Sequence, residues 1–277
     1  KKKYFIIFFC FFLSFIFVDR ILSFFLYSLL NFSTLPHAEL YAKKGEAEIL
    51  ILGNSRGYRS FNENLFTKKT KNYSLIGSST LINEIIISDY LDIYNNPPKI
   101  IILEVTNVLS ENEAIKEFRV FGYKSKRVAN LLKKKYPKIF YWGKLTNLFQ
   151  FNNKTFLNGI QKIFIPYEYK PLQGFINNVN PNKIEKNTFN KSNDLINDNI
   201  QSLNKIINLC DEKNIDLYLV IAPFYPKRLK VEDNEFRLWL EKTKISINGF
   251  PITDFSKNIK NEKYFFDWKH INEDGIV

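Results

Sequence analysis

Three side chains in this 277-residue sequence have the types that nucleophilic acyl chemistry needs. Ser55 sits in a Gly53-Asn54-Ser55-Arg56 turn, and Asp267 and His270 lie in Asp267-Trp268-Lys269-His270-Ile271-Asn272 near the other end. A serine hydroxyl is a poor nucleophile until a base takes its proton, and that base works best when a third group orients it. The chain has only two histidines. His37 follows an apolar N-terminal segment and reads as an exposed bystander in a linker, which leaves His270 as the base. Asp267 would hold the imidazole tautomer and stabilise the imidazolium while Ser55 attacks an ester carbonyl. Taken singly, each piece has an ordinary meaning. A Gly-x-Ser after a strand is usually a turn, and an Asp-x-x-His is more often a surface pair or a helix cap.

The elements that must position these residues can be read from hydrophobic patterning. Ile49-Leu50-Ile51-Leu52 is a short buried strand stopped by Gly53-Asn54. A second strand is expected from Asn72 to Ile76, ending at Gly77. Helical spacing follows through Leu81, Ile85, Ile86, Tyr90 and Leu91, closed by Pro97-Pro98. A third strand covers Ile100 to Val105 and ends at Thr106-Asn107. A helix from about Asp194 to Lys213 precedes a fourth, Leu217 to Ile221, terminated by Pro223 and Pro226. Pro223 is expected to shape the floor of the site. A last helix and a short strand around Pro251 to Asp254 lead into the Asp267/His270 segment. Continuous apolar strands alternating with helices predict an α/β fold: a three-layer parallel sheet with helices on both faces. In such sheets sites form beyond the carboxyl ends of the strands, and Ser55, Gly77 and Asn107 all fall there.

The N-terminus predicts a membrane anchor. Lys1-Lys2-Lys3 precede an apolar run from Tyr4 to Val18, then Asp19-Arg20, then a second apolar stretch from Ile21 to Phe32. Crossing the hydrocarbon takes about 20 residues, so one transmembrane helix is expected to continue past Asp19 and Arg20. Pairing and snorkelling soften their cost near the far interface. The lysines favour a cytoplasmic N-terminus and place the rest outside the membrane. A cleaved signal peptide is the alternative, but no small-x-small cleavage site follows the first run. Residues 1–32 are thus read as basic tip and anchor, 33–46 as a linker and 47–277 as the α/β domain. Within that domain, about 113–190 is read as an insertion of short helices and loops, either a packed cap with a basic outer face or an aromatic, basic groove. The absence of Met and the end at Gly275-Ile276-Val277 lead to the expectation of a chain trimmed at its start and of a closing helix beyond Val277.

A formal charge of +12 suits an anionic membrane surface, an acidic polymer or nucleic acid, or simply a solvated lysine-rich surface. No zinc-finger, helix-turn-helix or RNA-recognition signature accompanies it, so nucleic acid is disfavoured. Cys10 and Cys210 are not expected to pair, and no cysteine or histidine cluster points to a metal or other cofactor.

Together these segments resemble the SGNH (GDSL-like) hydrolase and acyltransferase superfamily, in its membrane-anchored, extracytoplasmic branch. The likeness runs in outline over residues 47–277 and is specific in four short blocks. Ile49 to Arg56 is similar to the first block, with Asn54 where Asp is usual. Asn72 to Ser79 is similar to the second, and Val105-Thr106-Asn107 to the third, without its usual Gly and final Asp. Asp267 to Gly275 matches the last block, including Asn272 and Gly275 after the histidine. The resemblance implies a Ser55–His270–Asp267 triad and an oxyanion hole made by the Ser55 and Gly77 amides and the Asn107 side chain. Asn54 and Arg56 become candidates to face the substrate, Arg56 and Arg59 being otherwise read as helix-surface residues. The implied activity is that of an esterase or O-acyltransferase on acyl, often acetyl, esters of envelope or extracellular polysaccharide. A membrane-bound acyltransferase is a possible partner. The competing expectation is a degenerate SGNH-like scaffold that holds an anionic envelope polymer.

Overall fold

The computed structural model of the chain describes residues 2–174, 189 and 193–276. In chain order it begins with α1 (Lys2–Leu30), α2 (Pro36–Tyr41), β1 (Ile49–Leu52), α3 (Ser55–Ser60), β2 (Thr70–Asn72), α4 (Thr80–Ile93) and β3 (Ile100–Glu104). It continues through α5 (Ala114–Phe118), α6 (Lys126–Lys135), α7 (Pro137–Leu145), α8 (Lys154–Phe164) and α9 (Asn193–Glu212). The last elements are β4 (Asp216–Ile221), α10 (Pro226–Val231), α11 (Asp233–Ser246) and β5 (Ile252–Asp254). Contacts divide the chain into two compact units. One joins Lys1–Gly45 to Ile115–Tyr167, and the other joins Glu46–Ala114 to Glu168–Val277.

The second unit is built on a five-stranded, all-parallel sheet of order β2-β1-β3-β4-β5. All four residues of β1 are buried, so both faces of the sheet are covered along this strand. The strand order reverses between β1, which leads outward to β2, and β3, which leads toward β4. The crevice at that switch point opens at the carboxyl ends of β1 and β3. A core of Leu50, Ile51, Leu52, Ile101, Leu103 and Ile221 lies beneath it.

The second strand lies earlier than the sequence suggested. It covers Thr70–Asn72, not Asn72 to Ile76, and pairs Ile49 with Thr70. Lys71 and Asn72 are weak strand formers, and pairing with β1 overrides that propensity. Beyond it, Tyr73 and Leu75 still donate to Ile51 and Gly53 of the β1 segment, at 2.8 and 3.1 Å, while the chain turns away.

The first unit contains α1, long and apolar enough to cross a membrane. Asp19 and Arg20 are ion-paired at 3.3 Å, as expected. The expected linker of 33–46 contains α2, whose Pro36, His37, Ala38, Leu40 and Tyr41 are buried. His37 is therefore no exposed bystander. It is 5% exposed and meets the Phe118 ring edge-on at 5.1 Å, because α5 supplies an aromatic cover that the local sequence does not reveal. The expected insertion forms short helices from α5 to α8. Its portions at 175–188 and 190 lie outside the described residues.

Candidate active site

The site starts where β1 ends. Gly53 takes φ +151°, and a Cβ built there would stand 2.8 Å from the Glu104 Cβ, so only glycine lets the two strand ends approach. Asn54 then caps α3, its side-chain oxygen accepting from the Arg56 amide at 2.9 Å while its amide donates to Ser110 Oγ at 3.3 Å. Both ends of the Asn54 side chain are thus engaged in shaping the turn, which leaves it a structural role. Ser55 is the first residue of α3, partly exposed.

The other half comes from a tight loop closed by an antiparallel bridge between Phe265 and Ile271. Tyr225, Phe265 and Ile271 form a small apolar cluster beneath it, with Trp268 packed against them. Asn272 secures the loop's exit by donating to the Lys263 carbonyl at 2.7 Å. Within the loop, Asp267 Oδ1 accepts from the amides of Lys269 and His270 at 2.6 and 2.8 Å. Its carboxylate meets His270 Nδ1 at 2.9 Å, and His270 Nε2 lies 2.9 Å from Ser55 Oγ. The order carboxylate, imidazole, hydroxyl is the relay that a serine nucleophile needs, assembled from residues 215 positions apart.

Burial alone would raise the Asp267 carboxyl. The hydrogen bond and charge of His270, with the two loop amides, outweigh it and hold the carboxyl below its ordinary value. A carboxyl depressed in the fold adds stability that is fully present above its unfolded pKa, about 3.9, and is lost as pH falls through the folded value. Asp267→Asn is therefore expected to flatten the acid limb of stability. Urea midpoints taken between about pH 5 and pH 2 would show wild type losing more than the variant. Equal slopes would mean that Asp267 is not held in this way.

Arg56 is neither substrate-facing nor on the helix surface. It is 5% exposed, pairs with Glu104 at 3.3 Å and stacks on Phe224 at 3.7 Å. Its remaining donors reach the carbonyls of Ala222, of Pro223 at 3.1 Å and of Lys269 at 3.3 Å. The planar fork of arginine can serve several acceptors at once, which explains its place here. Arg59, expected on the surface, is partly exposed and donates to the Lys170 carbonyl at 3.0 Å.

Glu104, fully buried, also accepts from Thr106 Oγ1 at 2.6 Å and from the Ala222 amide at 3.4 Å. Sequence reasoning passed over it, although a carboxylate ending an apolar strand must find a cation or shed its charge. Arg228 was missed as well. It is 1% exposed, pairs with Glu232 at 2.9 Å, stacks on Trp268 at 4.2 Å and donates to the Trp268 carbonyl at 3.4 Å. Two buried arginines thus hold the two carbonyls between Asp267 and His270.

The chain matches no protein-family model and no curated protein.

Gly77 is exposed in the turn after β2 with φ +75°, a conformation that favours glycine, and open space surrounds it. The turn is tied to the end of β1 by Ser78, whose hydroxyl donates to the Gly53 carbonyl at 2.7 Å. Asn107 is fully buried just beyond β3, its side-chain oxygen fixed by Thr80 Oγ1 at 2.8 Å. Its amide nitrogen has no hydrogen-bond partner among the described residues. Asn199, from α9, holds this turn by donating to the Val108 and Ser110 carbonyls at 2.9 and 3.0 Å. Among the described residues, no group of three His, Cys, Asp or Glu could hold a metal ion.

Proposed function

We propose that the protein is a membrane-anchored serine esterase or O-acyltransferase of SGNH type, acting on acyl esters of an envelope or extracellular polysaccharide. The carrying observation is the hydrogen-bonded line from Asp267 through His270 to Ser55 Oγ. His270 takes the serine proton, Ser55 Oγ bonds to the acyl carbon, and the ester C–O bond breaks as the sugar hydroxyl leaves with that proton. In the resulting acyl-serine intermediate, water or another sugar hydroxyl, deprotonated by His270, displaces Ser55 from the acyl group. Hydrolysis and transfer share that intermediate. The N-terminal lysines favour an inside N-terminus, with the sheet-bearing unit outside the cytoplasmic membrane. A net charge of +12 suits an acidic polymer.

The oxyanion would be received by the Ser55 and Gly77 amides and the Asn107 side-chain amide. A buried amide nitrogen with no hydrogen-bond partner among the described residues, on a side chain whose oxygen is already fixed, supports Asn107 in that role. Asn107→Ala is expected to lower kcat by about 10²–10³, equivalent to about 2.7–4 kcal/mol. Steady-state kinetics on a chromogenic acetyl ester would check this, and an unchanged kcat would remove Asn107 from the hole.

The reading is tested by exposing the full-length protein in membranes to a fluorophosphonate, which reacts only with activated serines. Labelling at Ser55, followed by release or transfer of acetate from an acetylated polysaccharide, is the expected result. A folded protein that never labels would favour the scaffold for an anionic polymer.

A further inference from the structure

The two halves of α1 have different surroundings. Every residue from Lys2 to Phe15 is exposed, whereas Asp19, Ser23 and Leu30 form a buried stripe. Helices of the same unit supply the cover. The Asp19 carboxylate accepts from Thr146 Oγ1 and from the amides of Asn147 and Leu148 at 2.8 and 3.0 Å. The opposite side of α1 stays apolar and exposed, through Leu22, Phe24 and Phe25.

Depth along α1 fixes the depth of whatever is bonded to it. A hydrocarbon core of about 30 Å takes about 20 helical residues. Counted from Tyr4, that length ends near Ser23, which puts Asp19 and Arg20 within about one helical turn of the outer boundary. The Arg20 guanidinium donates to the Lys144 carbonyl at 3.4 Å, and Thr146 follows α7 directly, so the end of α7 lies near that boundary too. There α7 turns outward a face of Tyr141, Trp142 and Leu145, each 56–58% exposed, flanked by exposed Lys138 and Lys144. Gly143, on the other side, is buried. Aromatic rings beside snorkelling lysines are the composition favoured at a membrane–water interface.

We propose that α7 is an interfacial helix whose Tyr141–Trp142–Leu145 face beds in the outer headgroup layer of the bilayer that α1 crosses. This rests on the anchor reading above. The bonds that tie the end of α7 to Asp19 and Arg20 of the membrane-crossing helix make lipid the occupant. The basic run Lys133-Lys134-Lys135 just before α7, and the absence of any acidic residue from α7, suit anionic headgroups.

The test places a spin label on the full chain in nanodiscs of mixed phosphatidylglycerol and phosphatidylcholine. Native Cys10 is labelled in one sample, and Leu145→Cys or Trp142→Cys in a Cys10→Ser background in the others. Cys210 is buried and stays unlabelled. Collision rates with oxygen, which partitions into lipid, and with a water-soluble nickel chelate report depth. Expected is a deep Cys10 label with shallow but lipid-immersed labels at 142 and 145. Nickel-accessible labels at 142 and 145 with a deep Cys10 would overturn the interfacial helix and leave the anchor standing. Labels at 142 and 145 shielded from both reagents would overturn it in favour of a protein partner. A nickel-accessible Cys10 would overturn the anchor itself and this inference with it.

Discussion

Ser55→Ala and His270→Ala are each expected to abolish fluorophosphonate labelling and to lower ester turnover by about 10⁶-fold, with the fold intact. The two losses should be of similar size, because a nucleophile and its base act as a unit and removing either disables both. The geometry makes the coupling direct, with His270 Nε2 at 2.9 Å from Ser55 Oγ. Neither side chain is part of the buried core, so truncation leaves no large cavity. Circular dichroism melts alongside the kinetics would separate lost chemistry from lost structure. Wild-type turnover by Ser55→Ala would end the triad reading. Salt-sensitive binding of an anionic polysaccharide that survives both substitutions, without turnover by wild type, would establish the scaffold instead.

The second large effect is expected at the buried pair beneath the site. Arg56→Met leaves Glu104 fully buried and without its cation, and Glu104→Gln leaves Arg56 in the converse position. Breaking a buried ion pair from one side costs about 3–5 kcal/mol, roughly a 10 °C fall in Tm for a unit of this size. The double variant should lose less than the sum of the two, since neither charge is then stranded. Arg56→Met should also slow fluorophosphonate labelling at temperatures where it remains folded, because Arg56 holds the Lys269 carbonyl next to His270. A misplacement of about 1 Å in a reacting group can cost on the order of 10²-fold. Arg56→Lys keeps the charge but cannot serve Glu104 and three carbonyls at once, so it should recover little of the labelling rate. A melt and a labelling rate both equal to wild type would make the pair a bystander.

Much of the architecture was legible in residue order. Apolar runs at Ile49–Leu52, Ile100–Val105 and Leu217–Ile221, alternating with helical spacing, specified a parallel α/β sheet. The apolar run after Lys1-Lys2-Lys3 specified a helix of membrane-crossing length. These are local signals: period, length and punctuation act within one element and survive without its neighbours. The candidate residues Ser55, Asp267 and His270 were legible for a different reason. With two histidines in the chain, residue type alone left few ways to build a base.

What only the tertiary structure decided concerns burial and partnership. The sequence left Arg56 on a helix surface and His37 in a linker, and both are buried. It gave no role to Glu104, Arg228 or Asn199, which hold the turns around the site. It placed β2 some residues late, because Thr70–Asn72 becomes a strand only beside β1. Each miss has one physical cause. Whether a charged or polar side chain meets water or a buried partner depends on which elements the sheet order brings side by side, and that order is fixed by packing between segments far apart in the chain.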